Sequence, residues 1–560
     1  MIILNLNAQS HFSVNPVDLD IGRSRFDRPK RHLFTAQVGD LIPAYWTEIL
    51  PGDTVSMKSS EVVRMSTILD PVFDNLFMDI NWFFIPMRLT WNHTKEFFGE
   101  NTSGAWAPST TYTIPQFANQ GSIVQPMTVA DYLGIPVGVT NLSVSSLPLR
   151  GYVRVYDEWY RDESLVTPPV INMGDASSGY SSVRPDLGGY PYKVAKFHDY
   201  LTSCLPAPQR GNAVLIPYSA SGSVYFSGTA NVVSDSSTHN MVRSMYLGND
   251  GNNVGGYPAF QGFLNNVAQF DMNSTTSVAN YNTITESNLV ADINNMTGVL
   301  SGTSNLSVND LRLSFAMQRW LEKSALFGGR YISMLKAQFG VTSPDARLQR
   351  TEYLGGRRVP LNVTEVANTT GSSATTAKPL GALGAFSHTA DSDDDFTHSF
   401  TEHGFLMCMV CFRYKHSYAQ AIRREFSRKT MWDYYFPVLA NIGNQPVLRK
   451  EVYADGTSAD DNVFGYQEAW AEYRYDQDQI SGMFKPGISG SLASWHYGDY
   501  YTTGPTLSSG WIQEDKAMVD RTLAVPSSNQ VPQLLCDFYF NPVFVRAMPL
   551  YSIPGLIDHH

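Results

Sequence analysis

The chain has 560 residues, 43% of them hydrophobic and 12% aromatic, enough to build a large core. Its net charge of −11 excludes a chain-wide nucleic-acid glove, because phosphate binding needs clustered Lys and Arg, and its four cysteines exclude a disulfide framework. Charged residues make up only 16%, against about 25% in an average soluble protein, which points to a surface largely covered by neighbours.

No run approaches the ~18–20 apolar residues of a membrane span. Residues 1–7 are apolar, but the run is short and no basic residue precedes it, unlike a signal peptide. The expectation is a protein that folds in a reducing cytoplasm.

In chain order, residues 1–32 read as an extended basic arm. Arg23, Arg25, Arg28, Lys30 and Arg31 cluster there, interrupted by Asp27 and Pro29. Such a run is either a solvated face or a nucleic-acid arm. Arg25, Arg28, Lys30 and Arg31 are the candidate phosphate contacts.

From 33 to 86 the signals are β. Residues 41–50 form one candidate strand, closed by the turn Pro51-Gly52-Asp53. Residues 61–69 form another. Residues 75–86 alternate, with Leu76, Met78, Ile80, Trp82 and Phe84 on one face. Phe77, Phe83 and Ile85 make the other face apolar too, so a second sheet or another subunit is expected to cover each side. Residues 87–211 mix loops with short helical pieces, among them Asp157-Glu158-Trp159-Tyr160-Arg161-Asp162.

Residues 212–305 change character. Arg243 is the single Lys or Arg, and Ser, Thr, Asn and Gly dominate. The segment reads as an exposed, turn-rich insertion. Its Tyr218, Tyr225, Phe260, Phe263 and Phe270 favour an ordered one. A helix follows, capped by Asn309 or Asp310, with Leu313, Ala316, Met317, Trp320 and Leu321 as one apolar stripe and Gly328-Gly329 as its end. Residues 330–339 predict a second helix. Residues 361–395 read as a loop of small residues ending in acids, and 405–412 as a fully buried strand.

Motifs for chemistry are weak. Cys408-x-x-Cys411 has redox or zinc spacing, but on a strand residues three apart point to opposite faces, so both read as core. Asp391-x-Asp393-x-Asp395 with Glu402 matches acidic positions of a calcium loop, yet Phe396 replaces the required Gly. It reads as a solvated acidic loop. His398, His403 and His416 lack metal-ligand spacing. The run from Gly465 to Tyr475 mixes aromatics and acids, suiting either sugar stacking or a packed interface. Nothing calls for a cofactor.

Several runs resemble the major capsid proteins of the Microviridae, most closely the gokushovirus branch. They include Arg23-Ser24-Arg25-Phe26-Asp27-Arg28, Leu50-Pro51-Gly52-Asp53-Thr54 and Phe84-Ile85-Pro86-Met87-Arg88-Leu89. The most specific is Phe339-Gly340-Val341-Thr342-Ser343-Pro344-Asp345-Ala346-Arg347-Leu348-Gln349-Arg350, followed by Glu352-Tyr353-Leu354-Gly355-Gly356. Downstream come Phe400-Thr401-Glu402-His403-Gly404, Val463-Phe464-Gly465-Tyr466-Gln467-Glu468 and the terminal Ile553-Pro554-Gly555-Leu556-Ile557-Asp558. Thr351, Ala207 and Pro29-Lys30-Arg31 depart from the family pattern.

The resemblance implies a mainly β fold, an eight-stranded viral jelly roll with long loop insertions and a few short helices. Residues 33–211 would begin the barrel, 212–305 would form a surface protrusion at the three-fold axes, and 306–560 would complete the barrel and tail. The implied partners are the chain itself, as pentamers and a T=1 icosahedral shell, a circular single-stranded DNA genome, a small basic DNA-binding protein, other minor phage proteins and a host surface receptor. Tyr257, Phe260 and Phe263 are the candidate attachment residues in the protrusion. The implied place is the virion, assembled in the bacterial cytoplasm, with no membrane insertion, metal or catalysis. The rival reading is a secreted β-sandwich carbohydrate-binding protein or glycosidase, which needs a signal peptide or an aromatic cleft holding a carboxylate pair.

Overall fold

The computed structural model describes residues 22–102, 111–119, 121–212, 214, 308–369, 380–524 and 532–551, with the backbone of short strands between 223 and 301. The chain divides into two compact units, Met1–Asn212 with Trp320–His560, and Ala213–Arg319. In the second unit, Ser223–Ser227 pairs with Thr297–Ser301, Asn231–Ser234 with Leu289–Asp292, and Gln261–Gly262 with Phe270–Asp271, all antiparallel.

Ten strands build the two large sheets of the first unit: β1 (Ser24–Asp27), β2 (Lys30–Ala36), β3 (Ile42–Ile49), β4 (Thr54–Met65), β5 (Leu76–Pro86), β6 (Glu352–Pro360), β7 (Thr389–Ser399), β8 (Gly404–Tyr414), β9 (Leu534–Phe540) and β10 (Val543–Arg546). One sheet centres on β4. Along one side it pairs with β7; along the other it pairs with β9 and then β10, which carry β2 and β1 at the edge. The second sheet has the order β6-β5-β8-β3, all antiparallel.

β4 shows why the first sheet forms. Val55, Met57, Ser59, Glu61, Val63 and Met65 are buried and alternate with outward residues, the period of a half-covered strand. It starts earlier and stops sooner than the predicted 61–69, because the polar inward positions Ser59 and Glu61 hide the alternation. The turn before it is as predicted: Gly52 adopts φ +87°, and the buried Asp53 carboxylate accepts from Leu50 N at 2.9 Å and from Arg546 Nε at 2.9 Å.

β5 and β8 are buried on both faces. Ile80, Trp82, Cys408, Val410 and Phe412 meet Met57, Val63, Phe538 and Phe540 of the other sheet. On the reverse face, Phe83, Ile85, Met407, Met409 and Cys411 pack against Leu149, Tyr152 and Val153 of helix α1 (Leu147–Val155). The doubly apolar strand is therefore covered within its own chain, by a sheet on one side and a helix on the other. The helix runs on as a π-turn, Tyr156–Tyr160, where a helical piece was expected.

Two expectations need correction. Residues 361–395 are not one loop: Val363–Ala367 and Leu383–Ser387 form a hairpin, and the acids lie on β7. An edge strand gains from charge, which discourages pairing with other edges, so its polar composition imitates a loop. The predicted helix is present as α2 (Val308–Phe327), stopped at Gly328 with φ +93°, but its stripe is not buried: Leu313, Met317 and Trp320 are 60%, 49% and 48% exposed. Helix α3 (Tyr331–Phe339) follows, closed by Gly340 in the left-handed region.

Candidate functional site

The four candidate phosphate contacts lie on or between the edge strands β1 and β2. Each has a partner in the chain. Arg25 Nε reaches Asp27 Oδ1 at 3.2 Å, both exposed. Arg31 forms a fork on Asp537, at 2.8 and 2.6 Å. Arg28 and Lys30 face rings instead: the Arg28 guanidinium sits 5.2 Å from the Phe544 centroid, and Lys30 Nζ 5.3 Å from that of Tyr45. Burial, then the neighbouring Arg28 charge, lowers the Lys30 pKa. A phosphate would have to displace a carboxylate at Arg25 and Arg31, but not at these two ring contacts. Tyr257, Phe260 and Phe263 lie outside the described residues.

The reactive-looking groups are committed to structure. All four cysteines are free thiols and buried. Cys408 and Cys411 face opposite cores, as strand geometry requires. Burial pushes the Cys411 thiol up to about 12 and Cys408 well above its ordinary value, so neither offers a thiolate. Among the described residues, no group of His, Cys, Asp and Glu is arranged to hold a metal. Nor is any helix there long and apolar enough to cross a membrane.

The acids of β7 converge on one guanidinium. Arg357 reaches Glu61 Oε1 at 2.6 Å and Asp391 Oδ2 at 2.9 Å, and pairs with Asp395 as well. Burial raises the pKa of both Glu61 and Asp395.

His416 lies between Asp499, at 3.0 Å, and Glu514, at 3.2 Å. Burial alone would lower its pKa, but the two carboxylates outweigh that and lift it to about 9. Burial likewise opposes ionisation of Asp499, yet His416 and Lys196 hold it at about 2. A histidine raised in the fold stabilises fully below its unfolded value, near 6.5, and the contribution fades as pH climbs towards 9. A shift of this size is worth on the order of 3 kcal/mol. The urea midpoint of the isolated chain should therefore fall between pH 6.5 and 9, and His416→Gln should flatten that fall; an equal slope in both proteins refutes the assignment.

A cleft of about 680 Å³ beside the second sheet has aromatic walls, including Trp159, Tyr160 and Phe197. Its two lining acids are engaged. Asp162 accepts from Ser164 N and Leu165 N, and Glu163 accepts from Arg330 N. That is a poor setting for a glycosidase pair, whose carboxyls must face a sugar. In the Gly465–Tyr475 run, Trp470 is 4% exposed and donates to Leu439 O at 2.9 Å, so its ring is packing rather than a sugar platform.

What the chain does expose is apolar surface. Phe426, Trp432, Val438, Phe327, Tyr331 and Phe339 are each more than half exposed. Exposed aromatic side chains are enriched where proteins meet one another.

Three curated relatives match nearly end to end. Each is a capsid protein VP1: that of Spiroplasma virus 4 is 37% identical, with 98% of both chains covered. That of Bdellovibrio phage phiMH2K is 35% identical over 95% of both, and that of Chlamydia phage 1 is 34% identical over 96% of both. The family model described as capsid protein (F protein) matches residues 17–556. The chain belongs to this capsid protein family.

The resemblance to Microviridae capsid proteins is thereby borne out, and the secreted carbohydrate-binding reading is not favoured. A capsid protein is a virion component and assembles with copies of itself. Sequence reading missed the densest part of the exposed apolar surface, residues 422–442. The run has neither period 2 nor period 3.6, the two signals that single out an element. The usable signal was aromatic density in an aperiodic stretch: Trp432, Tyr434, Tyr435 and Phe436 lie within five residues.

Proposed function

We propose that this capsid chain is the major subunit of a small T=1 icosahedral shell, built through pentamers, around a circular single-stranded DNA genome. Its role is structural rather than catalytic. The observation that carries the reading is end-to-end similarity to three VP1 capsid proteins, with no large segment left over for another task. The two facing antiparallel sheets support an eight-stranded jelly roll with strands added at its edges and long insertions between them. Residues 1–32 face inward, with 24–27 and 30–32 held in the sheet edge as β1 and β2 rather than as a free arm, 33–211 and 306–560 act as barrel and tail, and 212–305 as a three-fold protrusion that meets the host receptor. Assembly takes place in the bacterial cytoplasm, with other minor phage proteins taking part. Negative-stain images of particles carrying this chain test the shell directly; filaments or dispersed monomers would refute it.

Because the chain is acidic overall, packaged DNA needs a separate small basic protein to neutralise most of its charge, with the arm contributing locally. Changing Arg25, Arg28, Lys30 and Arg31 together to Ala should lower genome-filled particles more than total particles. Arg28 and Lys30, which face rings rather than carboxylates, should account for most of the effect. Filled and empty particles falling in parallel would make the arm purely structural.

A further inference from the structure

Residues 422–442 form the most aromatic exposed stretch among the described residues. Phe426 is 81% exposed, Met431 59%, Trp432 66%, Tyr434 51% and Val438 93%. Tyr435 and Phe436 add partly exposed rings. A monomer gains nothing by displaying these side chains to water.

The stretch is held in shape. It runs through three short 3-10 turns, Arg424–Ser427, Met431–Asp433 and Pro437–Leu439. The Asp433 carboxylate accepts from Lys429 N at 2.8 Å, Thr430 N at 2.7 Å and Thr430 Oγ1 at 3.0 Å, which locks the middle turn. The Arg428 guanidinium lies 5.0 Å from the Tyr434 ring centre and 4.7 Å from that of Tyr473, and bonds Glu472 at 3.3 Å. Tyr435 meets buried Trp470 edge-on at 5.8 Å. Rings fixed in place before contact lose little entropy when covered, the condition for a strong binding surface.

We propose that residues 422–442 are a docking surface on which one copy of the chain seats against a second copy. The proposal rests on the shell reading above and says which face does the joining. Three features favour a second copy as the occupant. Aromatic side chains each bury about 150–250 Å², so five rings roughly half exposed offer on the order of 500 Å², over half of the ~800 Å² that one partner brings to a stable interface. The basic side chains of the stretch are already paired within the chain, Arg423 with Glu425 and Asp476, Arg424 with Glu451 and Arg428 with Glu472, so the rings can meet a copy of the same chain without like-charge repulsion. And the composition, aromatic with Met and Arg, is that of an interface core with its rim.

The test is made in phage particles. The triple variant Phe426→Ser, Trp432→Ser, Val438→Ser should lower particle yield by about tenfold or more, as loss of a central anchor cluster requires. The soluble chain should keep its far-ultraviolet dichroism and thermal midpoint. Wild-type particle yield from this variant overturns the proposal and leaves the shell reading intact; a wild-type chain that forms no particles overturns the shell reading itself. Should the variant fail to fold, two measurements still decide. Hydroxyl-radical footprinting of the wild-type chain should show Met431, Trp432 and Tyr434 oxidised several-fold less in particles than in released chain, and equal oxidation overturns the proposal. A benzophenone maleimide on Val438→Cys, in particles made from isotopically mixed chains, should cross-link to peptides of another copy; cross-links only to a different virion protein overturn it.

Discussion

Replacing residues 212–305 with a short Gly/Ser linker is expected to leave particles that assemble but no longer adsorb to the host. The chain leading into the stretch lies against the far half of α2: the Arg210 amide donates to the Leu321 carbonyl at 3.4 Å. Closing a loop costs little more when it is long than when it is short, so a linker long enough to reach from residue 211 to residue 306 should be tolerated. Adsorption should fall by more than about tenfold, since losing even ~1.4 kcal/mol of receptor contact costs that factor. Adsorption assays on purified particles, counted by genome copies, read the result. Loss of particles would give the segment a structural role, and unchanged adsorption would remove it as the attachment site.

Arg357→Ala should be among the most destabilising single changes in the first unit, by about 3–5 kcal/mol, because it strips the partner from buried charges. Glu61 and Asp395 have side chains 0% and 2% exposed, and Arg357 is bonded to both as well as to Asp391. The loss should depend on pH. Burial already raises both carboxyls, and removing the guanidinium raises them further. A carboxyl raised in the fold favours folding at low pH and loses that contribution as pH rises through its folded value. The deficit should thus be large at pH 8 and partly recovered near pH 5. Urea melts of variant and parent at the two pH values check it, and a deficit independent of pH would sink the explanation. The double variant Arg357→Met, Glu61→Leu should lose less than Arg357→Ala, since taking out one of the two buried carboxylates with the guanidinium leaves only Asp395 stranded in the core.

The central sheet was legible from sequence because its signals are local. β5 and β8 are apolar on both faces, and that pattern has few other readings. The Cys408/Cys411 assignment followed from the period of a strand alone. What was not legible depends on partners distant in sequence. β7 looks like an acidic loop until Arg357 and Lys58 stand opposite its Asp residues. β1 and β2 look like a free basic arm until β9 and β10, some five hundred residues later, supply their ladders. The stripe on α2 has helical spacing, but spacing does not say whether the cover comes from the same chain. The surface at 422–442 has no spacing at all and is shaped by Arg428, Asp433 and Trp470 instead.

The four thiols give the molecule a built-in clock. A thiol reagent in solution reaches a buried cysteine only when its surroundings open, so the rate of labelling measures opening rather than reactivity. Cys408 and Cys536 sit in the core between the sheets, Cys411 in the core under α1, and Cys204 in a third cluster with Tyr200, Trp511 and Ile512. Three regions of one subunit can therefore be timed separately without adding a probe. Cys408 and Cys411, three residues apart on β8, report the two faces of one strand, and their ratio tells whether the helix lifts off before the sheets part when a subunit opens.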